Sequence, residues 1–331
     1  MTSLLGELTR PGLVRRFGTL LGFVTIIVIF AVHLPDTFLT ARNLLNITQQ
    51  LSMLAVVAAT MTIVMTMGDF DLSVGSAASL AGVVAATCFV LGAPIWLGVA
   101  VALAAGLVGG VFNGVLVALI GILPFVATLG TLTVFSGLAF LVSDGKTIFG
   151  RDIPAGFSGF ARGGVPLDAL GLEGLRLPYL TITAALVIVG CWVLLEKTVF
   201  GRWLYAIGGN SEAAHQSGIN VARIRLIAFA LTGLGASAAG LMFAARVASA
   251  NPIQGSGLML DAIAAVFLGM TMSRGGEPRV LYTLVGALML GILDNGLTQM
   301  QVNSYIREVL VGSIVIGAVA ISALSSRKWR V

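Results

Sequence analysis

The chain has 331 residues, of which 57% are hydrophobic and only 10% are charged, and its mean hydropathy is +1.02. In soluble domains about a quarter of all residues are charged. This composition therefore excludes a soluble enzyme or binding protein and indicates a membrane protein. In such a protein a net charge of +5 indicates basic cytoplasmic loops rather than nucleic-acid binding.

Apolar segments run from one end of the chain to the other, which predicts a single all-α, polytopic membrane domain over 1–331. A spanning helix needs about 20 predominantly apolar residues. When the apolar sequence is divided at clusters of charged residues, at prolines and at glycine–polar clusters, about ten candidate spans remain. The predicted spans are 17–34, 46–67, 73–91, 96–119, 123–142, 179–195, 226–247, 257–272, 280–299 and 305–323.

Basic residues predict the orientation, since cytoplasmic loops carry an excess of Lys and Arg. With the N-terminus inside, twelve of the nineteen basic residues fall in inner segments, so both termini are predicted to be cytoplasmic. These twelve are Arg10, Arg15, Arg16, Lys197, Arg202, Arg223, Arg225, Arg274, Arg279, Arg327, Lys328 and Arg330.

Two loops are long enough to receive a partner. The outer loop, 143–178, is rich in Gly, Pro and Asp and is predicted to be periplasmic. The inner loop, 196–225, contains a short helix signal in which Asn210 or Ser211 caps the start and Gly218 ends the helix. A helix this short hardly persists alone in water, so we expect it to lie against the bilayer interface or another protein.

The chain shows no constellation for covalent chemistry. "SDGKT" at 143–147 resembles the end of a phosphate-binding loop, but the required glycine is replaced by Phe140. His33 and His215 have no acidic or cysteine cluster at metal or triad spacing. We therefore predict no catalytic residue, no metal site and no nucleotide site in this chain.

Gly106, Gly110 and Gly114 form a tandem GxxxG series on the fourth span, which predicts a close helix contact. The contact could be internal or between subunits. Asn113 lies beside the series and needs a hydrogen-bond partner in lipid.

Carboxylates near the membrane are the remaining candidates, because an unpaired charge there is costly. "MTMGDFDLSVGS" at 65–76 places two aspartates between the second and third spans, at the predicted cytoplasmic boundary. There Asp71 or Ser73 is expected to cap the third helix, whereas Asp69 has no such local role. The predicted pathway or core residues are Asp69, Asn113, Asp261, Asp294 and Asn295.

Asp71 and Asp261 stand near the starts of spans three and eight, so they would enter the membrane from opposite sides. That offset is what an inverted five-plus-five repeat would produce, as in many transporters.

Four stretches together resemble the inner-membrane permeases of the ribose, xylose and arabinose ABC importers, and the first two resemble arabinose-type members most. They are "GDFDLSVGS" at 68–76, "ATLGTLTVFSGLAFLVSDGK" at 127–146, "FGRWLYAIGGNSEAAHQSGI" at 200–219 and "LDAIAAVFLGM" at 260–270.

The resemblance implies a bacterial inner-membrane importer of a monosaccharide, with two permease copies forming a homodimer. A periplasmic sugar-binding protein would deliver the substrate, and a separate ATPase subunit would bind ATP and magnesium, so that this chain carries no cofactor. The residues it implies for coupling to the ATPase are Gly201, Arg202, Ala206, Gly208, Gly209, Asn210, Glu212, Ala213, Ala214, Ser217 and Gly218.

Two alternatives stay open. In an ion-coupled secondary transporter of a small polar solute, an intramembrane aspartate would titrate during transport. A membrane enzyme would need a catalytic cluster that the sequence does not show.

Overall fold

The computed structural model describes residues 11–273, 275–306, 308–310, 312–314 and 316–317, and the fold is mainly helical. The helices, in chain order, are α1 (Pro11–His33), α2 (Ala41–Met65), α3 (Val74–Val90), α4 (Ile95–Ala118), α5 (Pro124–Ser143), α6 (Ala155–Arg162), α7 (Tyr179–Lys197), α8 (Val199–Gly209), α9 (Ser211–Gln216), α10 (Val221–Val247), α11 (Ser256–Met272) and α12 (Val280–Gln299). The strands are β1 (Ile148–Phe149), β2 (Gly164–Pro166), β3 (Arg176–Pro178) and β4 (Ser249–Ala250).

Each of the first nine predicted spans coincides with one of these helices. Six of the helices, α2, α4, α5, α7, α10 and α12, are long and apolar enough to cross a membrane, whereas α3 and α11 have 17 residues each. At 1.5 Å per residue, 17 residues reach about 26 Å, short of the roughly 30 Å of a hydrocarbon core. The protein is therefore polytopic, and a total of ten spans stays a prediction.

The last predicted span and the two termini are covered only in part. In 305–323, the residues described up to 317 are helical. Residues 1–10 and 318–331, on which the predicted cytoplasmic position of the termini depends, lie outside the described residues.

Contacts divide the chain into two compact units. The first is Ser52–Ala262, and the second joins the residues up to Leu51 to those from Ile263 onwards. In the second unit, aromatic and aliphatic side chains of α1, α2, α12 and the turn between α1 and α2 form a small core. Its buried members are Phe30, Phe38, Ile47, Leu293 and Leu297.

Glycines allow α4 and α10 to pack backbone to backbone in the 52–262 unit. A Cβ placed on Gly110 would lie 2.3 Å from the Phe229 carbonyl oxygen, and one on Gly233 would lie 2.3 Å from that of Gly106. Such distances admit only glycine, because the obstacle is backbone rather than a movable side chain. The tandem glycine series therefore makes an internal contact, which settles one alternative left open by the sequence.

The short helix α3 is buried by close approaches of the same kind. A Cβ on Gly240 of α10 would lie 2.0 Å from the Ala78 carbonyl oxygen, and the Gly255 N–H donates to Ser79 Oγ over 2.8 Å. Small residues on α3 thus place it against α10 and the segment that precedes α11.

The outer loop, 143–178, contains three short strands, which pair in antiparallel fashion with each other or with β4. Ile148 of β1 pairs with Ala250 of β4, and β2 pairs with β3. The fold is mainly helical, as predicted, and these strands of two or three residues are an addition that the sequence did not indicate. The β1–β4 pairing joins residues about a hundred positions apart, so no local sequence pattern could have shown it.

We expect Gly110→Val to destabilise the protein, because its Cβ would meet the backbone of α10. Overpacking of a well-packed interior costs about 1–3 kcal/mol. Thermal unfolding of the purified protein in detergent measures the effect. Gly130→Val on α5 is the matched control, since no atom of another segment lies within 4 Å of a Cβ at Gly130. Equal unfolding temperatures for the two variants would contradict the α4–α10 contact.

Candidate functional site

A buried polar cluster lies where α2 turns into α3. Asp71 is 1% exposed, and its Oδ1 accepts hydrogen bonds from the Ser73 N–H over 2.9 Å and from the Ser73 hydroxyl over 2.6 Å. Asn113 of α4 donates from Nδ2 to Ser73 Oγ over 2.8 Å and lies 3.5 Å from Asp71 Oδ1. We call Asp71, Ser73 and Asn113 the Asp71 cluster. It joins the start of α3 to the C-terminal third of α4.

This geometry corrects the predicted helix cap. Ser73 is the residue before α3, but its side chain accepts no hydrogen bond from the N–H groups of that helix. Asp71 binds the N–H of Ser73 itself. The physical reason is that the Ser73 hydroxyl is oriented by a charge-assisted hydrogen bond to the Asp71 carboxylate, and its oxygen accepts from Asn113 Nδ2 instead of from the helix N–H groups. The two residues therefore anchor α4 instead of capping α3.

Asp69 forms an ion pair that the sequence does not reveal. Arg225 in the first turns of α10 donates from Nε to Asp69 Oδ2 over 2.9 Å and from Nη2 to Oδ1 over 3.4 Å. The Asp69 side chain is 5% exposed and that of Arg225 is 26% exposed. Nothing local points to Arg225, because the two residues stand 156 positions apart. The available signal is that both fall on the same predicted side of the membrane with opposite charges.

Both aspartates follow the end of α2, and their electrostatics are dominated by burial. Burial raises the pKa of Asp69, while the Arg225 guanidinium acts in the opposite direction. Burial likewise raises the pKa of Asp71, against the hydrogen bonds from Ser73 and Asn113.

The inner loop consists of two short helices, α8 and α9, between α7 and α10. Asn210 Oδ1 accepts from the Ala213 N–H over 3.0 Å, which confirms Asn210 as the cap of α9. Gly218 ends the helix with φ +85°, as predicted. A Cβ at Gly201 would lie 1.9 Å from the Leu195 carbonyl oxygen, so only glycine allows the sharp turn from α7 into α8.

Most of the residues implied for coupling to the ATPase are exposed on the surface of the inner loop. Gly201 and Ala214 are buried within the loop. The exposed members are Arg202, Ala206, Gly208, Gly209, Asn210, Glu212, Ala213, Ser217 and Gly218. A groove of about 520 Å³ runs between α9 and the start of α10, with Glu212, His215, Asn220 and Arg225 in its lining. The loop thus presents a polar, concave surface.

Gly208 brings the inner loop to the turn that carries the aspartates. A Cβ on Gly208 would lie 2.0 Å from the Thr66 carbonyl oxygen and 3.4 Å from Met67 Cα. The end of α8 therefore lies directly against the end of α2.

In the second unit, the predicted residues Asp294 and Asn295 of α12 bind amides of α2. Gln50 donates to Asp294. Asn295 Oδ1 accepts from Asn43 over 3.1 Å and from Gln299 over 2.8 Å.

The five predicted pathway residues do not form one site. Asp69 and Asn113 make contacts around the 66–73 turn, whereas Asp294 and Asn295 make theirs in the second unit. Asp261 lies on α11 and is partly buried.

Comparison with known proteins identifies the family. Residues 43–322 match the family described as the permease component of branched-chain amino acid transport systems. The chain is 38% identical to the ribose import permease protein of Bacillus subtilis over 95% of both chains. It is 33% identical to the D-allose transport system permease protein of Escherichia coli, over 94% of this chain and 93% of that one.

The L-arabinose transport system permease protein of Escherichia coli is 34% identical over 92% of this chain and 89% of its own. The ribose permease therefore shares more identity than the arabinose permease, so the expected preference for arabinose-type members is not supported. No solved structure matches the chain. With one family matched over most of its length and relatives above 30% identity, the chain belongs to the family of transport-system permease components.

Proposed function

We propose that this chain is the membrane-spanning permease subunit of an ABC importer for a monosaccharide. The observation that carries the proposal is the 38% identity to a ribose import permease over 95% of both chains. The allose and arabinose permeases are similar over nearly the same length, so sugars are the substrate class common to these relatives.

The inner loop, 196–225, is the surface we assign to the ATPase subunit. Its helix α9 has six residues, most of them exposed, next to a groove of about 520 Å³. A helix of this length needs a partner surface to be held in place. The sequence has no GxxxxGK[ST] motif, since Phe140 stands at the first glycine position. We assign ATP and magnesium to the partner ATPase.

The remaining features of the proposal concern the assembly. The outer loop, 143–178, would receive a periplasmic sugar-binding protein, and a second copy of this chain would complete a homodimer in the bacterial inner membrane with all termini cytoplasmic. ATP-driven closure of the ATPase subunits would move the inner loops, and the sugar pathway would open alternately to either side.

Among the pathway candidates, Asp294 and Asn295 are the ones whose surroundings best suit a sugar. Their neighbours on α2 are the amides of Gln50 and Asn43, and Thr298 and Asn46 on the same two helices are exposed. Amides, hydroxyls and a carboxylate are donors and acceptors for sugar hydroxyl groups. Asp69 is paired with Arg225, and Asn113 is hydrogen-bonded to Ser73, so we assign both residues structural roles.

Uptake of radiolabelled ribose, allose and arabinose into membrane vesicles tests the proposal. The vesicles must hold the permease with its ATPase and binding protein. We expect uptake of at least one of these sugars to stop when ATP is depleted and to continue in the presence of a protonophore, because ATP hydrolysis drives the pathway. The reverse pattern would contradict the proposal and favour an ion-coupled secondary transporter.

A further inference from the structure

We propose that the Asp69–Arg225 ion pair is a mechanical link that transmits movement of the inner loop to the transmembrane helices. The inference rests on the proposed function, because it takes 196–225 as the surface moved by the ATPase. It assigns Asp69 and Arg225 as positioning residues that contact neither ATP nor sugar.

The inner loop is held to the 66–73 turn on both sides of α9. Before α9, Gly208 lies against the backbone of Thr66, close enough to exclude any side chain. After α9, Arg225 forms two hydrogen bonds to Asp69. A force applied to the exposed α9 therefore reaches the turn through both of these attachments.

The 66–73 turn is itself connected to three further helices. Asp71 and Ser73 bind Asn113 of α4, and Ser73 leads directly into α3. Thr128 of α5 donates to the Phe70 carbonyl oxygen over 3.3 Å. A short turn is thus bonded to α3, α4 and α5 while it continues from α2. Displacement of this one segment would change the positions of several spans together.

An ion pair is suited to this task because it tolerates little change in geometry once it is buried. The guanidinium of Arg225 binds both carboxylate oxygens of Asp69, and the Asp69 side chain is 5% exposed. If the two separated, a nearly buried carboxylate would lose its counterion, which is strongly unfavourable. The pair therefore favours movement of the turn and the start of α10 as one body.

A charge swap tests the link in the complete transporter, with the ATPase and the binding protein present. We expect Asp69→Arg and Arg225→Asp each to lower sugar uptake about tenfold, the size of a typical coupling between sites. ATPase copurification should persist in the Asp69→Arg variant, because Asp69 lies outside the inner loop, and the ATP hydrolysed per sugar imported should rise in both variants. The double variant, with the charges exchanged, should recover most of the uptake.

Arg42→Asp is the control, since Arg42 is an exposed arginine in the first turn of α2 and lies outside both the inner loop and the outer loop. We expect it to transport as the unaltered protein does. Normal coupling in both single charge variants would overturn the proposal, and so would effects that multiply in the double variant without any recovery.

If the charge-reversed proteins fail to fold, the neutral variants Asp69→Asn and Arg225→Gln keep the proposal testable. Their double variant should be no worse than either single one, because both changes remove the same interaction. Independent, multiplying losses would contradict the link. Loss of ATPase copurification or of ATP dependence in the unaltered protein would instead contradict the proposed function, so the two failures are distinguishable.

Discussion

Replacing Glu212 by Lys together with Gly218 by Val should abolish copurification of the ATPase subunit while the permease still inserts into the membrane. Glu212 is exposed in the first turn of α9, where a carboxylate favours the helix N-terminus and a cation opposes it. Gly218 has φ +85°, a conformation that a β-branched residue rarely adopts. The double change alters both the charge and the end of the helix. Affinity pull-down from solubilised membranes measures the association.

The outer loop offers a matched control with the same two substitutions. Glu173 is exposed and is followed by Gly174, whose φ is +72°. Glu173→Lys with Gly174→Val therefore makes the same charge change and the same type of backbone strain on the face that we assign to the periplasm. We expect that control to retain the ATPase. Full retention of the ATPase by the Glu212 and Gly218 variant would refute the assignment of the inner loop.

Asp71→Leu should strongly impair transport, whereas Asp71→Asn should be much milder. The Asp71 carboxylate accepts both the N–H and the hydroxyl of Ser73, and it is 1% exposed. Leucine would leave these buried donors without an acceptor, at a cost of about 1–3 kcal/mol for each. Asparagine retains one oxygen in the same place. Unfolding temperature in detergent and uptake at equal expression measure the two effects.

Asp152→Leu on the exposed outer loop controls for loss of a carboxylate in general, and we expect it to leave stability unchanged. If Asp71→Asn lost transport as completely as Asp71→Leu, the charge itself would matter, and a role limited to hydrogen bonding would be wrong.

The helices were predictable because each carries its own signal. The predicted span 123–142 agrees with α5 (Pro124–Ser143) to within one residue at each end. The agreement is close because a proline begins the apolar run and a polar turn with a glycine ends it. The cap at Asn210 and the stop at Gly218 were equally local, because capping depends on residues only a few positions apart. Patterns of this range are readable without any tertiary information.

The site was predictable only as a set of residues, not as an arrangement. Asp71 and Ser73 were singled out, but as a cap, because a single sequence does not show that Asn113 competes for the serine hydroxyl. Asp69 was singled out as a residue without a local role. Its partner Arg225 could not be found from spacing, since helix packing brings together residues 156 positions apart.

The sequence by itself determined that this is a polytopic helical membrane protein and located a short capped helix in the inner loop, because hydrophobic length and helix-end signals are local properties. The tertiary structure alone decided that the tandem glycines of α4 pack against α10 within the chain, and that the two aspartates of the 66–73 turn have different partners. The physical reason is that both outcomes depend on which helices, far apart in the sequence, are packed together in the fold. A buried carboxylate without a partner is energetically unfavourable, so the residue that pairs with it strongly affects the stability of the fold.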